Sequence, residues 1–198
     1  KCPSSAYGTA IHSALQMAHD SLKIDGQLPT RQAILDFFTN ELKTQHLSAD
    51  DFASLNDKGH QALSTFLDAK QGSFSTSQIT ELNFAGQEVV IGEARLTGKL
   101  DLVDINKEDK TIRVTDYKTG KPSRSWQGGD DGEKVKLHKY RQQLMFYQLL
   151  SEQSRDYSGY SFSGGVLQFV EPERGSGEIL ALEDSFSYEE LEEFKQLI

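Results

Sequence analysis

Residues 98–121 read GKLDLVDINKEDKTIRVTDYKTGK, and this stretch decides the fold. Two apolar runs flank a polar segment, so the spacing predicts two strands joined by a short turn over residues 106–110. In the second run Ile112, Val114, Asp116 and Lys118 alternate with Arg113, Thr115 and Tyr117. Successive side chains of a strand point to opposite faces, so one apolar face ends in a carboxylate and an ammonium. Antiparallel pairing about Glu108 sets Asp101 opposite or next to Asp116, with Cβ atoms roughly 4.5–5.5 Å apart if directly opposed. Like charges so placed destabilise a sheet unless something compensates. A divalent cation would compensate, and carboxylate oxygens are the ligands that Mg²⁺ and Mn²⁺ prefer. The plainer reading of the same residues is a surface hairpin with an ion pair.

Upstream, apolar positions at helical spacing predict helices over residues 8–20 and 31–45 and a third, capped by Ser48 or Asp50, that runs to about Lys70. Strand signals follow at 78–84, 88–91, 95–105 and 111–117. Residues 120–133 are rich in Gly, Ser and Asp, which predicts a mobile loop. A helix is expected over 134–152, an internal strand over 164–170 and an edge strand over 178–182. Ser187 is the expected cap of a final acidic helix. Helices, then an antiparallel strand run, then a helix and more strand indicate an α+β (mixed α/β) domain with its site at strand ends. The expected division is a mainly helical part, 1–75, and a sheet core with flanking helices, 76–198, together forming one domain. The chain starts at Lys1 without a Met and ends within an amphipathic pattern, so it reads as a piece of a longer protein.

The length of 198 residues suffices for a substantial core, and 36% hydrophobic with 26% charged residues fits a globular protein. No apolar run spans a membrane, and no signal peptide is visible. Cys2 is the single cysteine. An internal disulfide or a four-cysteine iron–sulfur cluster is therefore impossible within this chain, and a reducing, cytoplasmic setting is expected. The net charge of −9 argues against nucleic-acid binding by the chain as a whole. Its distribution qualifies this. Residues 171–198 hold nine acids and two bases, whereas residues 116–141 hold seven bases and four acids. The basic stretch follows Asp116, as a phosphate substrate would require.

Three residues outside the hairpin carry competing readings. Gln143 and Tyr147 lie four apart on the expected helix and share a face, yet a core tyrosine beside a solvated glutamine fits the spacing too. His12 sits beside an apolar stripe, where a boundary histidine is the plainer reading. Trp126 could stack on a base or be an unremarkable loop aromatic.

Taken in order, GTAIH (residues 8–12), GKLD (98–101), DYKTG (116–120) and QLMFY (143–147) resemble the RecB-like branch of the PD-(D/E)XK nuclease superfamily. The resemblance implies a restriction-endonuclease-like αβββαβ core with an N-terminal helical extension. It implies that His12, Asp101, Asp116 and the backbone carbonyl of Tyr117 hold Mg²⁺ or Mn²⁺. It also implies that Lys118 is catalytic, that Gln143 and Tyr147 organise the site, and that Glu81 matches a commonly acidic position. Lys121, Arg124, Trp126, Lys134, Lys136 and Arg141 are the expected DNA contacts. Cluster-bearing relatives carry three C-terminal cysteines absent here, so an iron–sulfur cluster is not expected. The function implied is a metal-dependent deoxyribonuclease acting on single-stranded DNA or a duplex end in repair or recombination. The branch further implies a helicase in the same chain or complex. A catalytically silent scaffold and an RNA-directed nuclease remain as alternatives, because a fold does not fix its chemistry.

Overall fold

A computed structural model describes residues 2–96 and 98–198 of the chain. The chain packs as two compact units: Lys1–Gln78 with Tyr117–Pro122 and Phe169–Leu180, and Ile79–Asp116 with Ser123–Gln168 and Ala181–Ile198.

The first unit is mainly helical: α1 (Pro3–Asp25), α2 (Arg31–Lys43) and α3 (Ala49–Lys70), then a short 3₁₀ turn, Gln71–Ser73. Helix α1 begins five residues before the expected start. Pro3 occupies the first turn, where its missing N–H costs nothing. It ends at Gly26 in the left-handed region, whose N–H caps the carbonyl of Leu22. Thr30 and Ser48 cap α2 and α3 by accepting from the N–H groups of Ala33 and Asp51. Gly59 sits inside the continuous helix α3 for a packing reason: a Cβ there would lie 2.1 Å from Phe38 of α2.

The second unit carries the sheet, in the order β1 (Gln78–Asn83), β4 (Lys99–Asn106), β5 (Thr111–Lys118), β6 (Ser161–Phe169) and β7 (Ala181–Asp184). A separate hairpin pairs β2 (Val89–Ile91) with β3 (Ala94–Leu96). The single strand expected over 95–105 is thus divided into β3 and β4, and Thr97 within it lies outside the described residues. Strands β4 and β5 are antiparallel, with Leu102 opposite Thr115 and Asn106 opposite Thr111. Hydrogen bonds from Ser161 N to Lys110 O and from Ser163 Oγ to Ile112 O advance in the same direction along both strands, so β6 runs parallel to β5.

A parallel neighbour needs a crossover, which α4 (Asp131–Gln153) provides. It begins three residues before the expected start and is capped by Asp130, which accepts from Glu133 N. Helix α4 lies close on the sheet: a Cβ on Gly165 of β6 would come within 3.0 Å of Leu144. Leu137, Leu144, Leu149 and Leu150 are buried with Leu100, Val103, Ile112 and Val114. Each such side chain contributes about 1.5–3 kcal/mol by leaving water. Strand β7 starts three residues later than expected and sits at the edge. Helix α5 (Tyr188–Lys195) opens on the full capping box of Ser187 and Glu190. The α+β expectation is met, with a mixed sheet and a helical N-terminal region. Among the described residues no helix is long and apolar enough to cross a membrane.

Candidate functional site

Asp116 is the strongest anomaly of the second unit, a carboxylate 3% exposed at the end of an apolar strand face. Isolated burial of such a group is costly unless hydrogen bonds or opposite charge offset it. Helix α4 supplies donors. Tyr147 Oη donates to Asp116 Oδ2 at 3.2 Å, and Gln143 Nε2 donates to Tyr147 Oη at 2.6 Å. The Tyr147 ring is buried, and its hydroxyl is hydrogen-bonded to both Asp116 and Gln143. Burial first, and then the negative charges of Asp116 and Asp101, push the Tyr147 phenol well above its usual range, so it stays a donor.

One further step of the β4–β5 register beyond Leu102 and Thr115 sets Asp101 across from Asp116. Two carboxylates on one sheet face, one of them buried, form an oxygen donor set suited to a hard divalent cation. Among the described residues no three His, Cys, Asp or Glu side chains gather as a complete ligand set. Mg²⁺ keeps several waters and takes one or two carboxylates plus substrate phosphate. His12 lies half-buried on α1 of the first unit. Glu81 holds a left-handed backbone, φ 51°, within β1, a strained geometry for a side-chain-bearing residue. Its carboxylate pairs with Lys99 at 3.3 Å.

Tyr117, Lys118, Thr119 and Gly120 belong to the first unit. The Tyr117 ring is 5% exposed, edge-on to Phe66 at 5.9 Å, and its hydroxyl bonds His19 Nε2 at 2.8 Å. His19 stacks on Phe74 with ring centroids 3.9 Å apart. The side chain of Tyr117 is thus an anchor, and its expected metal-binding group is the backbone carbonyl. Lys118 ends β5 half-buried. Strand alternation places it on the same side of β5 as Asp116. The motif glycines have steric causes. A Cβ on Gly8 would lie 3.2 Å from Thr119 Oγ1, and one on Gly98 would lie 2.9 Å from Leu150. Gly120 has φ +101°, a conformation that L side chains rarely adopt.

The segment from 123 to 133 differs from the mobile loop expected of its composition. Ser123 Oγ donates to Glu133 Oε1 at 2.5 Å, Gly129 N to Glu133 Oε2 at 2.6 Å, and Trp126 Nε1 to Glu183 O at 3.0 Å. Composition registers the glycines but not a long-range acceptor such as Glu183. Trp126 is half-buried with its indole nitrogen engaged. Arg141 is held by Asp184 at 2.7 Å and Glu190 at 2.8 Å, so its guanidinium is already engaged by carboxylates. Lys121 and Arg124 are exposed, and Lys134 makes only a loose exposed pair with Asp131 at 3.9 Å. Lys136 lies 6.0 Å over the Tyr140 ring.

Tyr140 escaped the sequence reading. It stands three residues before Gln143 and seven before Tyr147, on the same stripe of α4. Burial first, then the Asp116 charge, raise its phenol pKa, so it too senses that carboxylate. The i, i+3, i+7 spacing was the available signal.

A profile of the PD-(D/E)XK nuclease superfamily matches residues 2–198. The chain belongs to the PD-(D/E)XK nuclease superfamily. Compared with curated proteins, it matches none. The mixed sheet with its helical N-terminal region is consistent with the restriction-endonuclease-like fold of that superfamily. Membership suggests a nuclease, a phosphodiester hydrolase that binds nucleic acid, in a superfamily that generally uses divalent metals such as Mg²⁺.

Proposed function

We propose that residues 1–198 act as a single Mg²⁺- or Mn²⁺-dependent deoxyribonuclease domain of the RecB-like branch. The observation that carries this reading is the buried Asp116, hydrogen-bonded by the Tyr147–Gln143 pair, with Asp101 across from it in register. Asp101, Asp116 and the Tyr117 carbonyl are the proposed metal ligands, with His12 completing the set. When bound, the ion lowers the pKa of a coordinated water and polarises the phosphate. Tyr147 and Gln143 hold the orientation of Asp116, as partners behind metal ligands commonly do. Lys118 places its ammonium where negative charge grows on the phosphate or where a water must be aligned. Glu81 adds a further carboxylate.

Lys121, Arg124, Lys134 and Lys136 are proposed to contact phosphates without reading sequence, with Trp126 and Arg141 at the margin of that track. Single-stranded DNA cut from an end is the proposed substrate, in cytoplasmic repair or recombination beside a helicase. These finer points rest on the four ordered motifs. Cleavage of end-labelled single-stranded DNA, duplex DNA and RNA with Mg²⁺, followed across a salt series, tests the reading. The expected result is preferential loss of single-stranded DNA, with binding that weakens steeply as salt rises. Preferential loss of RNA, or no loss of any substrate, would overturn it.

A further inference from the structure

Within the first unit the three residues Lys118, Thr119 and Gly120 are gripped from several directions. Val170 N donates to Lys118 O at 3.0 Å. The next residue, Glu171, accepts from Gly120 N through Oε1 at 2.9 Å. The Thr119 hydroxyl abuts the bare Cα of Gly8. The second oxygen of Glu171 is also used: Lys58 Nζ lies 3.4 Å from Oε2 and 4.9 Å over the ring of Tyr7. The Glu171 side chain is only 14% exposed, so its hydrogen bonds are little diluted by water. Tyr7 is buried beside it, and burial and then the Glu171 charge push its phenol pKa up.

We infer that Glu171 is a positioning residue for Lys118: by tying down the left-handed Gly120 it fixes the backbone that aims the lysine ammonium. The inference rests on the nuclease reading, in which Lys118 serves the reacting phosphate. The two oxygens of Glu171 divide the work. One holds Gly120, and the other is steadied by Lys58, which keeps the carboxylate from swinging away. A backbone N–H that lost this acceptor would leave Gly120 free to sample the many conformations open to glycine. Misplacement of a catalytic group by about 1 Å can cost up to about 10²-fold in rate.

The test is a set of variants assayed by single-turnover cleavage of single-stranded DNA, with strand affinity measured in parallel. Glu171→Ala is expected to lower the rate by about tenfold or more while affinity stays within about twofold. Glu171→Gln keeps an oxygen for Gly120 N and is expected to restore most of the rate. Lys58→Met, which removes the ion pair and the cation over the Tyr7 ring but leaves the Glu171 oxygen for Gly120 N, is expected to lower the rate less than Glu171→Ala does. Glu171→Asp keeps the charge but falls one methylene short, and it carries the same expectation as Glu171→Ala should that variant not fold. Because Glu171 acts through Lys118, adding Glu171→Ala to Lys118→Ala should cost nothing further. Equal loss in both backgrounds, or a full rate in Glu171→Ala and Glu171→Asp while Lys118→Ala is impaired, overturns the inference alone. A wild type that does not cleave overturns the nuclease reading and the inference with it, whereas Lys118→Ala at the wild-type rate overturns the role of Lys118 and the inference while cleavage itself stands.

Discussion

Asp116 and Tyr117 are consecutive residues of β5 and are buried to nearly the same degree, 3% and 5% exposed, yet their surroundings are opposite in kind. Asp116 meets the Tyr147 hydroxyl, backed by the Gln143 amide, in the second unit. Tyr117 meets Phe66 and His19 in the first, and Phe74 in turn stacks on His19. Pleating sends neighbouring side chains of a strand in opposite directions, so one short sequence can hold a hydrogen-bonded carboxylate and, next to it, an aromatic anchor. Burial alone does not identify a catalytic group. What distinguishes Asp116 is that donors are arranged around a negative charge, whereas Tyr117 carries its one polar atom to a neutral imidazole.

That contrast can be broken by substitution. Asp116→Asn preserves the shape and the acceptor for Tyr147 but removes the charge. Cleavage should fall by about 10³-fold or more, several kcal/mol of barrier, while the thermal midpoint holds or rises. Substantial residual cleavage would reduce Asp116 to a structural residue. Lys118→Ala should retain metal-dependent stabilisation but lose about 10²–10³ in rate, which single-turnover assays resolve. Unchanged turnover would return Lys118 to the plain ion-pair reading. Tyr147→Phe keeps the ring packing and removes the hydroxyl between Gln143 and Asp116. A loss of about 10–100-fold in activity or metal affinity is expected, measured by metal titration of the rate. An unaltered metal midpoint together with an unaltered rate would show that the hydroxyl merely satisfies a buried carboxylate.

The anchor side should respond to pH rather than to metal. Burial holds the pKa of His19 down at about 4, against 6.5 for an ordinary histidine, with Asp20 opposing weakly. The unfolded chain therefore takes up a proton before the folded chain does as pH falls. Stability from this group is fully present above about pH 6.5 and is lost progressively towards pH 4, to a total on the order of 3 kcal/mol. Denaturant midpoints from pH 7 to 4.5 should fall more steeply for wild type than for His19→Gln. Parallel slopes would locate the acid sensitivity elsewhere.

Much of the β4–β5 hairpin was legible because its determinants are local. Strand period and the centre of the turn put Asp101 opposite or next to Asp116, and the observed pairing of Leu102 with Thr115 selects the opposed register. The caps at Ser48 and Ser187 were legible for the same reason. What escaped depends on residues far apart in sequence. His19 and Tyr117 are 98 positions apart, and Glu171 and Gly120 are 51 apart, so no window of sequence contains either pair. The expected edge strand slipped for a local reason that composition hides. Bonds from Glu173 N to Glu178 O and from Gly177 N to Glu173 O use those residues in a tight turn, which delays β7 to Ala181. Tyr140 was available from helical spacing, but its link to Asp116 emerges only once α4 lies on the sheet.

The central claim is that Asp101 and Asp116 hold a divalent cation that cleavage requires. It is tested most directly by stripping the wild-type protein with EDTA and restoring Mg²⁺ or Mn²⁺ while following an end-labelled single strand. The account predicts no cleavage in EDTA, full recovery on adding metal, and a thermal midpoint that rises over the same metal concentrations in wild type but much less in Asp116→Asn. Cleavage at the full rate in EDTA, or equal metal-induced stabilisation of both proteins, would contradict it.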